Sequence, residues 1–179
     1  MPFKFRIPFF ILLISFPILF FRCSNQIEYS NIPAIEFKEF QLIKYNNSNR
    51  DSVLKIIISF VDGDGDLGLT QEDTIAPFNP GSVFYKNYYA YYYEKVGDTF
   101  FQVRPEDSGI PIGDTIRYSY RFPDLRTQSN NKALKGDIEV TIGDINPVKS
   151  SILRFEIYIF DRALNISNKI TTPAIIYSH

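Results

Sequence analysis

The chain is organised around one stretch, IIISFV at residues 56–61, which runs directly into DGDGDLG at residues 62–68. The first half consists mainly of β-branched and aromatic residues, the composition of a buried β-strand. The second half carries three carboxylates, each separated from the next by one glycine: Asp62, Asp64 and Asp66. The stretch therefore predicts a core strand that ends in an acidic loop.

The rest of the chain alternates short apolar runs with turn signals, and no segment shows a sustained helical period with caps. The predicted strands are 35–42 (with a bulge between Phe37 and Phe40), 53–61, 88–94, 99–103, 116–122, 138–142, 153–159 and 170–177. About seven or eight short strands without helices predict an all-β, antiparallel β-sandwich of the immunoglobulin-like or fibronectin type III-like kind. A barrel or jelly roll is the alternative, because strand number alone does not determine whether a sheet closes.

Composition disfavours several functional classes. The 179 residues include 19 Lys or Arg and 20 Asp or Glu, so the chain lacks the basic excess that nucleic acid binding requires. Its single cysteine is Cys23, and its single histidine is His179. An intrachain disulfide is thereby excluded, and a catalytic triad or His-rich zinc site would need the terminal residue. We therefore expect a protein that is not an enzyme.

The first 22 residues are predicted to be a signal peptide of the lipoprotein type. Lys4 and Arg6 precede an apolar stretch at residues 7–21, which is too short for a comfortable bilayer span. A basic start followed by an apolar middle is typical of secretory signals. The alternatives are a plain signal peptide and an uncleaved anchor.

LFFRCS at residues 19–24 resembles the lipobox of bacterial lipoproteins, with Arg22 where a small residue is usual. The resemblance implies that Cys23 is lipidated and holds the protein at a membrane. Residues 23–33 are mostly polar with little periodicity and predict a tether. The sandwich domain is then expected over residues 34–179.

The acidic loop has the spacing of a calcium site. Asp62, Asp64 and Asp66 occupy the first, third and fifth positions of such a loop, and Asp73 occupies the twelfth. Leu67 at the sixth position and the flanking strands exclude an EF-hand. Because neighbouring carboxylates repel one another, an ion would relieve a cost, and we predict a structural Ca²⁺ site. The alternative is a solvated acidic turn; catalysis is disfavoured, because adjacent loop aspartates do not form a facing acid pair.

IYIFDRALNISN at residues 157–168 resembles a recurrent ending of bacterial immunoglobulin-like domains, Asp-x-Ala-Gly-Asn-x-Ser, with Leu164 in place of the glycine. With the lipobox-like start and the acidic loop, the chain resembles uncharacterised immunoglobulin-like lipoproteins of the Bacteroidota type. That family has no established activity. The resemblance implies a location in the cell envelope, as an outer membrane lipoprotein that faces the periplasm or the surface.

Loop order determines whether Asp161 joins the acidic loop. In an immunoglobulin-like sandwich the loops after strands 53–61 and 153–159 share one pole. That arrangement would place Asp161, with carbonyl groups of Asn165 or Asn168, beside the three loop aspartates. One miscounted strand would put the two loops at opposite ends. Asp161 is therefore a predicted ligand whose position stays open.

FYKNYYAYYY at residues 84–93 places aromatic residues on both faces of a strand. One face can pack in the core, and the other would be covered or exposed. Exposed tyrosines stack well on sugar rings or partner surfaces, and Tyr88 and Tyr92 are the candidates for such a ligand site. The alternative is cross-strand aromatic pairing with Phe100 and Phe101.

Three tripeptides, at residues 51–53, 73–75 and 114–116, resemble the Asp-Ser/Thr-aliphatic acceptor of Bacteroidota O-glycosylation. Such short patterns arise easily by chance, and whether they are glycosylated stays open.

These features predict a non-enzymatic lipoprotein of the cell envelope, with a calcium-stabilised sandwich that acts as a binding or assembly module. Its partners would be the membrane, through Cys23, and an envelope protein or a glycan. The alternative is a carbohydrate-binding accessory protein that uses the tyrosine-rich hairpin.

Overall fold

The structure is a computed structural model that describes residues 28–44, 51–104, 117–126, 133–143 and 145–178. The predicted signal peptide, Cys23 and the first part of the predicted tether lie outside these ranges. No helix within the described ranges is long and apolar enough to cross a membrane.

The described residues form nine strands and a single 3₁₀ turn at Val83–Tyr85. The strands are β1 (Ala34–Lys44), β2 (Asp51–Asp62), β3 (Tyr88–Val96), β4 (Thr99–Gln102), β5 (Arg117–Tyr120), β6 (Leu134–Gly143), β7 (Ile152–Ile159), β8 (Ile170–Thr171) and β9 (Ile175–Ile176). The predicted strand at residues 170–177 is thus two short strands. Pro173 lies between them and has no backbone N–H to donate to a neighbouring strand.

The strands form two antiparallel sheets. One has three strands in the order β1-β2-β6, and the other has six, in the order β4-β3-β7-β8 with β5 on β3 and β9 on β7. Side chains of both sheets pack in one core, where Leu54, Ile56 and Ile58 of β2 join Phe155 and Ile157 of β7. The predicted all-β antiparallel sandwich is therefore confirmed.

The quoted stretch at residues 56–61 is the central strand of the smaller sheet, paired with β1 and β6. Every second side chain enters the core, and Ile56 and Ile58 are fully buried. The predicted bulge in β1 is confirmed, because the register of β1 against β2 shifts between Phe37 and Glu39. Because β2 is hydrogen-bonded to a strand on each side, the sheet fixes the position of its last residue, Asp62.

The tyrosine-rich strand β3 does not expose the two tyrosines that were predicted to bind a ligand. Tyr88 and Tyr92 are buried in the core, with 0% and 2% of their surfaces exposed. The reason is that Tyr88, Ala90 and Tyr92 lie on the face of β3 that packs in the core against residues of the smaller sheet. The predicted ligand role of Tyr88 and Tyr92 is therefore wrong.

The aromatic partners of these tyrosines also differ from the predicted ones. Phe100 and Phe101 lie opposite Lys95 and Glu94 instead of the tyrosines. The rings of Tyr88 and Tyr92 meet those of other core aromatics: Tyr120 at 6.0 Å, Tyr118 at 6.2 Å and Phe155 at 5.5 Å between centroids. These ring pairs stabilise the sandwich from inside.

A buried carboxylate organises the pole at which β3 ends. Glu94 is fully buried and accepts hydrogen bonds from the Tyr92 hydroxyl and from the backbone N–H groups of residues 148–150. A carboxylate that accepts several N–H bonds is well satisfied in a dry site. Glu94 thereby holds the connection between β6 and β7 against the larger sheet.

Replacing Glu94 tests this role. Glu94→Ala leaves a buried hydroxyl and three backbone donors without their acceptor, so the free energy of unfolding should fall by about 3 kcal/mol. The matched control is Glu139→Ala, which removes an exposed ion pair with Lys55 and should cost less than about 1 kcal/mol. Urea denaturation of both variants checks this, and similar losses in the two would contradict the role given to Glu94.

Candidate metal centre

Two connections meet at the pole where β2 and β7 end, here called the acidic pole. Leu67, after β2, and Asp161, after β7, form an isolated antiparallel bridge. The backbone N–H of Ala163 donates to Oδ2 of Asp66 at 2.9 Å. The loops that follow β2 and β7 therefore share one pole, and Asp161 lies beside the acidic loop.

Carboxylate oxygens of Asp62, Asp66 and Asp161 all lie within 4.8 Å of one another. Two of these side chains are deeply buried, since Asp62 is 0% exposed and Asp161 is 3% exposed. β2 belongs to the smaller sheet and β7 to the larger one. The cluster therefore spans the gap between the two sheets.

Several of the clustered oxygens lack a hydrogen-bond donor. Both oxygens of Asp62, and Oδ1 of Asp64 and of Asp66, are buried and receive no hydrogen bond from the described residues. A buried charged oxygen without a donor costs several kcal/mol of free energy unless a cation or a proton compensates it. This chain thus presents a set of buried acceptors with the chemistry of a cation site.

The pKa shifts agree with the geometry. Burial raises the pKa of Asp62 to about 7, and the charges of Asp64, Asp66 and Asp161 add to the effect. Burial is also the largest cause that raises the pKa of Asp66 and of Asp161, and the charge of Asp64 contributes to both. Asp62, Asp66 and Asp161 therefore form the close group, and the half-buried Asp64 acts on it through its charge.

The local backbone explains how the ligands come together. Gly65 lies between Asp64 and Asp66 with φ of +69°, a left-handed conformation that glycine adopts without strain. Leu164 also has φ of +69°, at the position where the resembling bacterial ending has glycine. The tight turn after Asp161 therefore forms despite the leucine side chain, at a cost of about 1–2 kcal/mol.

Asn165 orients Asp161 within the cluster. Its backbone N–H donates to Oδ1 of Asp161 at 2.7 Å, and its side-chain Nδ2 donates to Oδ2 at 2.8 Å. The predicted carbonyl of Asn165 instead accepts from the backbone N–H of Asp161. The carbonyl of Asn168 accepts from the Ser167 hydroxyl. Asn165 therefore supports the cluster with its side chain, whereas the side chain of Asn168 binds the backbone of Ile35 in β1.

Asp73 does not join the cluster, which corrects the prediction from loop spacing. Both of its oxygens accept from the Arg162 guanidinium, at 2.6 and 2.9 Å, and one also accepts from Thr70. The hydrogen bond from Arg162 holds the pKa of Asp73 well below its usual range. Arg121 donates to the carbonyls of Thr70 and Asp73 and fixes the loop in this position.

The arginines were missed because their partners are distant in sequence. Arg162 follows Asp161 directly, so its pairing with Asp73 could be inferred only once the two loops were known to share a pole. Because the Arg162 guanidinium is paired with Asp73, it lies outside the four-carboxylate cluster.

The remaining predicted sites are Cys23 and the tripeptides that resemble glycosylation acceptors. The tripeptide at residues 114–116 and Cys23 lie outside the described residues. In the tripeptide at residues 73–75, Thr74 is exposed, while the carboxylate of Asp73 is held by Arg162. Glycosylation at these positions stays a sequence-based prediction.

In EDTA, which keeps the protein free of metal, the free energy of unfolding should increase as the pH falls from 8 to 5.5. The pKa of Asp62 is about 7 in the folded protein and about 4 when unfolded, so the folded state binds more protons between these values. Thermal melts in EDTA across this range test the sign. Asp62→Asn removes this titration and should flatten the profile; an unchanged profile in that variant would contradict the assignment.

Comparison with known proteins adds no family to this description. No protein-family model, curated protein or solved structure matches the chain. What the chain does must therefore be argued from the acidic pole itself.

Proposed function

We propose that this protein is a non-enzymatic binding or assembly module of the cell envelope, with a β-sandwich that is stabilised by a calcium ion. One observation carries the calcium site: Asp62 is fully buried, and neither of its oxygens receives a hydrogen bond from the described residues. Oxygens of Asp66 and Asp161 lie within 4.8 Å. A divalent cation would compensate these charges.

The donor set favours calcium over other metals. The cluster offers carboxylate oxygens, which suit hard cations, whereas structural zinc sites usually use Cys and His. Calcium accepts about six to eight oxygens in irregular geometry, while magnesium demands a near-octahedral shell and retains several waters. Four carboxylates, two of them buried and two half-buried, supply enough oxygens for an irregular calcium shell.

The ion would join the two sheets at the acidic pole. Asp62 is the last residue of β2, Asp64 and Asp66 belong to the connection that follows it, and Asp161 belongs to the connection after β7. Bound calcium replaces carboxylate repulsion between these connections with attraction to a shared charge. Binding to the folded state alone stabilises it by about 2.7 kcal/mol when calcium is present at 100 times its Kd.

Burial of the cluster supports a structural role over a catalytic one. Asp62 and Asp161 are almost fully enclosed, so a substrate would have to displace the loops to reach them. The carbohydrate-binding alternative requires Tyr88 and Tyr92 to be exposed, and both are buried in the core. A binding or assembly role is the remaining reading.

The envelope location is proposed from the sequence. The lipobox-like segment implies lipidation at Cys23 and attachment to the outer membrane, and the resemblance implies a sandwich of the immunoglobulin-like kind. Partners would be an envelope protein or a glycan. An exported protein meets calcium concentrations that suit a weakly binding extracellular-type site.

A thermal melt tests the calcium site. For the full-length protein in detergent, calcium at about 100 times its Kd should raise Tm by about 5–10 °C over EDTA. Equal magnesium should raise it much less, because magnesium dehydrates reluctantly.

Variants separate specific binding from general screening. Asp62→Asn should be more stable than the wild type in EDTA and should lose the response to calcium. The matched control is Asp137→Asn, which alters an exposed aspartate paired with Lys38 and should keep the response. An unchanged Tm of the wild type, together with no heat of binding in calorimetry, would refute the site.

A further inference from the structure

We infer that calcium at the acidic pole also controls whether the tether is docked on the domain. The relevant residues, 28–33, form the described end of the predicted tether and are called here the N-terminal segment. The inference rests on the proposed calcium site and specifies what that site regulates: calcium keeps the N-terminal segment against the acidic pole, and loss of calcium releases it.

The first contact is between the N-terminal segment and the acidic loop. The backbone N–H of Gly63 donates to the carbonyl of Ser30 at 2.8 Å. A Cβ atom at position 63 would lie 2.2 Å from the carbonyl oxygen of Tyr29, so the two backbones approach as closely as glycine permits. Gly63 lies between Asp62 and Asp64, and its position therefore depends on those two carboxylates.

A second contact, made by the loop that carries Asp161, holds the start of β1, from which the N-terminal segment extends. Oδ1 of Asn168 accepts from the backbone N–H of Ile35 at 2.8 Å, and its Nδ2 donates to the Ile35 carbonyl at 2.9 Å. The side chain thus replaces a neighbouring strand at the start of β1, directly after the buried Pro33. Asn168 lies in the same connection as Asp161.

Both contacts can form at the same time only if the two loops keep their relative position. The loops are joined by the bridge of Leu67 with Asp161 and by the hydrogen bond of Ala163 to Asp66. Without a cation, repulsion among the carboxylates acts directly across this junction. Separation of the loops would move Gly63 away from Asn168, and the chain that lies across both would lose a contact.

The N-terminal segment is not part of a β-strand, so no row of strand hydrogen bonds holds it on the domain. β1 begins at Ala34, and the segment before it is not a strand. Its side chains are mostly exposed, with Pro33 as the buried exception. Release would move the point where the chain leaves the domain from residue 28 to residue 34, which adds up to about 20 Å of reach. Calcium would therefore set the distance and orientation of the domain relative to its anchor.

Hydrogen exchange of the full-length protein in detergent tests the inference. The amides of Gly63 and Ile35 report the two contacts separately, and calcium should slow their exchange by about tenfold or more relative to EDTA. Chymotrypsin cleavage after Tyr29 should slow in parallel. Calorimetry in the same buffers measures calcium binding independently of docking.

Variants separate docking from the calcium site. Asn168→Ala removes the contact that holds the start of β1, next to the N-terminal segment, and leaves all four carboxylates, so calcium should still bind while Ile35 exchanges rapidly with or without it. By linkage, the loss of docking should also weaken calcium binding modestly. Lys169→Ala, next to Asn168, should behave as the wild type.

The outcomes are distinguishable. Calcium binding with slower exchange at Gly63 and Ile35 supports the inference. Calcium binding without any change at these amides overturns the inference and leaves the proposed calcium site intact. Absence of calcium binding overturns both.

Discussion

Electrostatic repulsion among carboxylates buried where the two sheets meet is the constraint on which the acidic pole depends. Asp62 ends the central strand of one sheet, and Asp161 follows a central strand of the other, so the fold itself brings the two charges together. Asp62 is fully buried, so bulk solvent does not offset its charge. The pole is therefore stable only with a compensating positive charge, supplied by a metal ion or by protons.

The opposite pole shows how this chain satisfies a buried carboxylate without an ion. Glu94 is as deeply buried as Asp62, but it accepts from three backbone N–H groups and a tyrosine hydroxyl. Asp161 is intermediate, since Asn165 donates to both of its oxygens. Asp62 differs from these two residues, because neither of its buried oxygens receives a hydrogen bond from the described residues. The contrast is what favours a bound cation over a general tolerance of buried acids.

Local sequence patterns predicted those features that depend on neighbouring residues alone. β-Branched alternation identified β2, a phase change identified the bulge in β1, and spacing identified three of the clustered aspartates. Burial of the tyrosine strand was mispredicted, because alternation shows which residues share a face and not which face turns inward. Asp73 was mispredicted because its partner, Arg162, is 89 residues away in sequence. Contacts of that kind depend on loop placement, which topology determines.

The central claim is that a calcium ion occupies the cluster of Asp62, Asp64, Asp66 and Asp161. The most direct test is a crystal structure of the protein grown with calcium, with an anomalous difference map. Bound calcium should give one peak about 2.3–2.6 Å from carboxylate oxygens of these residues, including Asp62. A map without a peak, with Asp62 hydrogen-bonded to water or to a neighbouring carboxyl group, would contradict it.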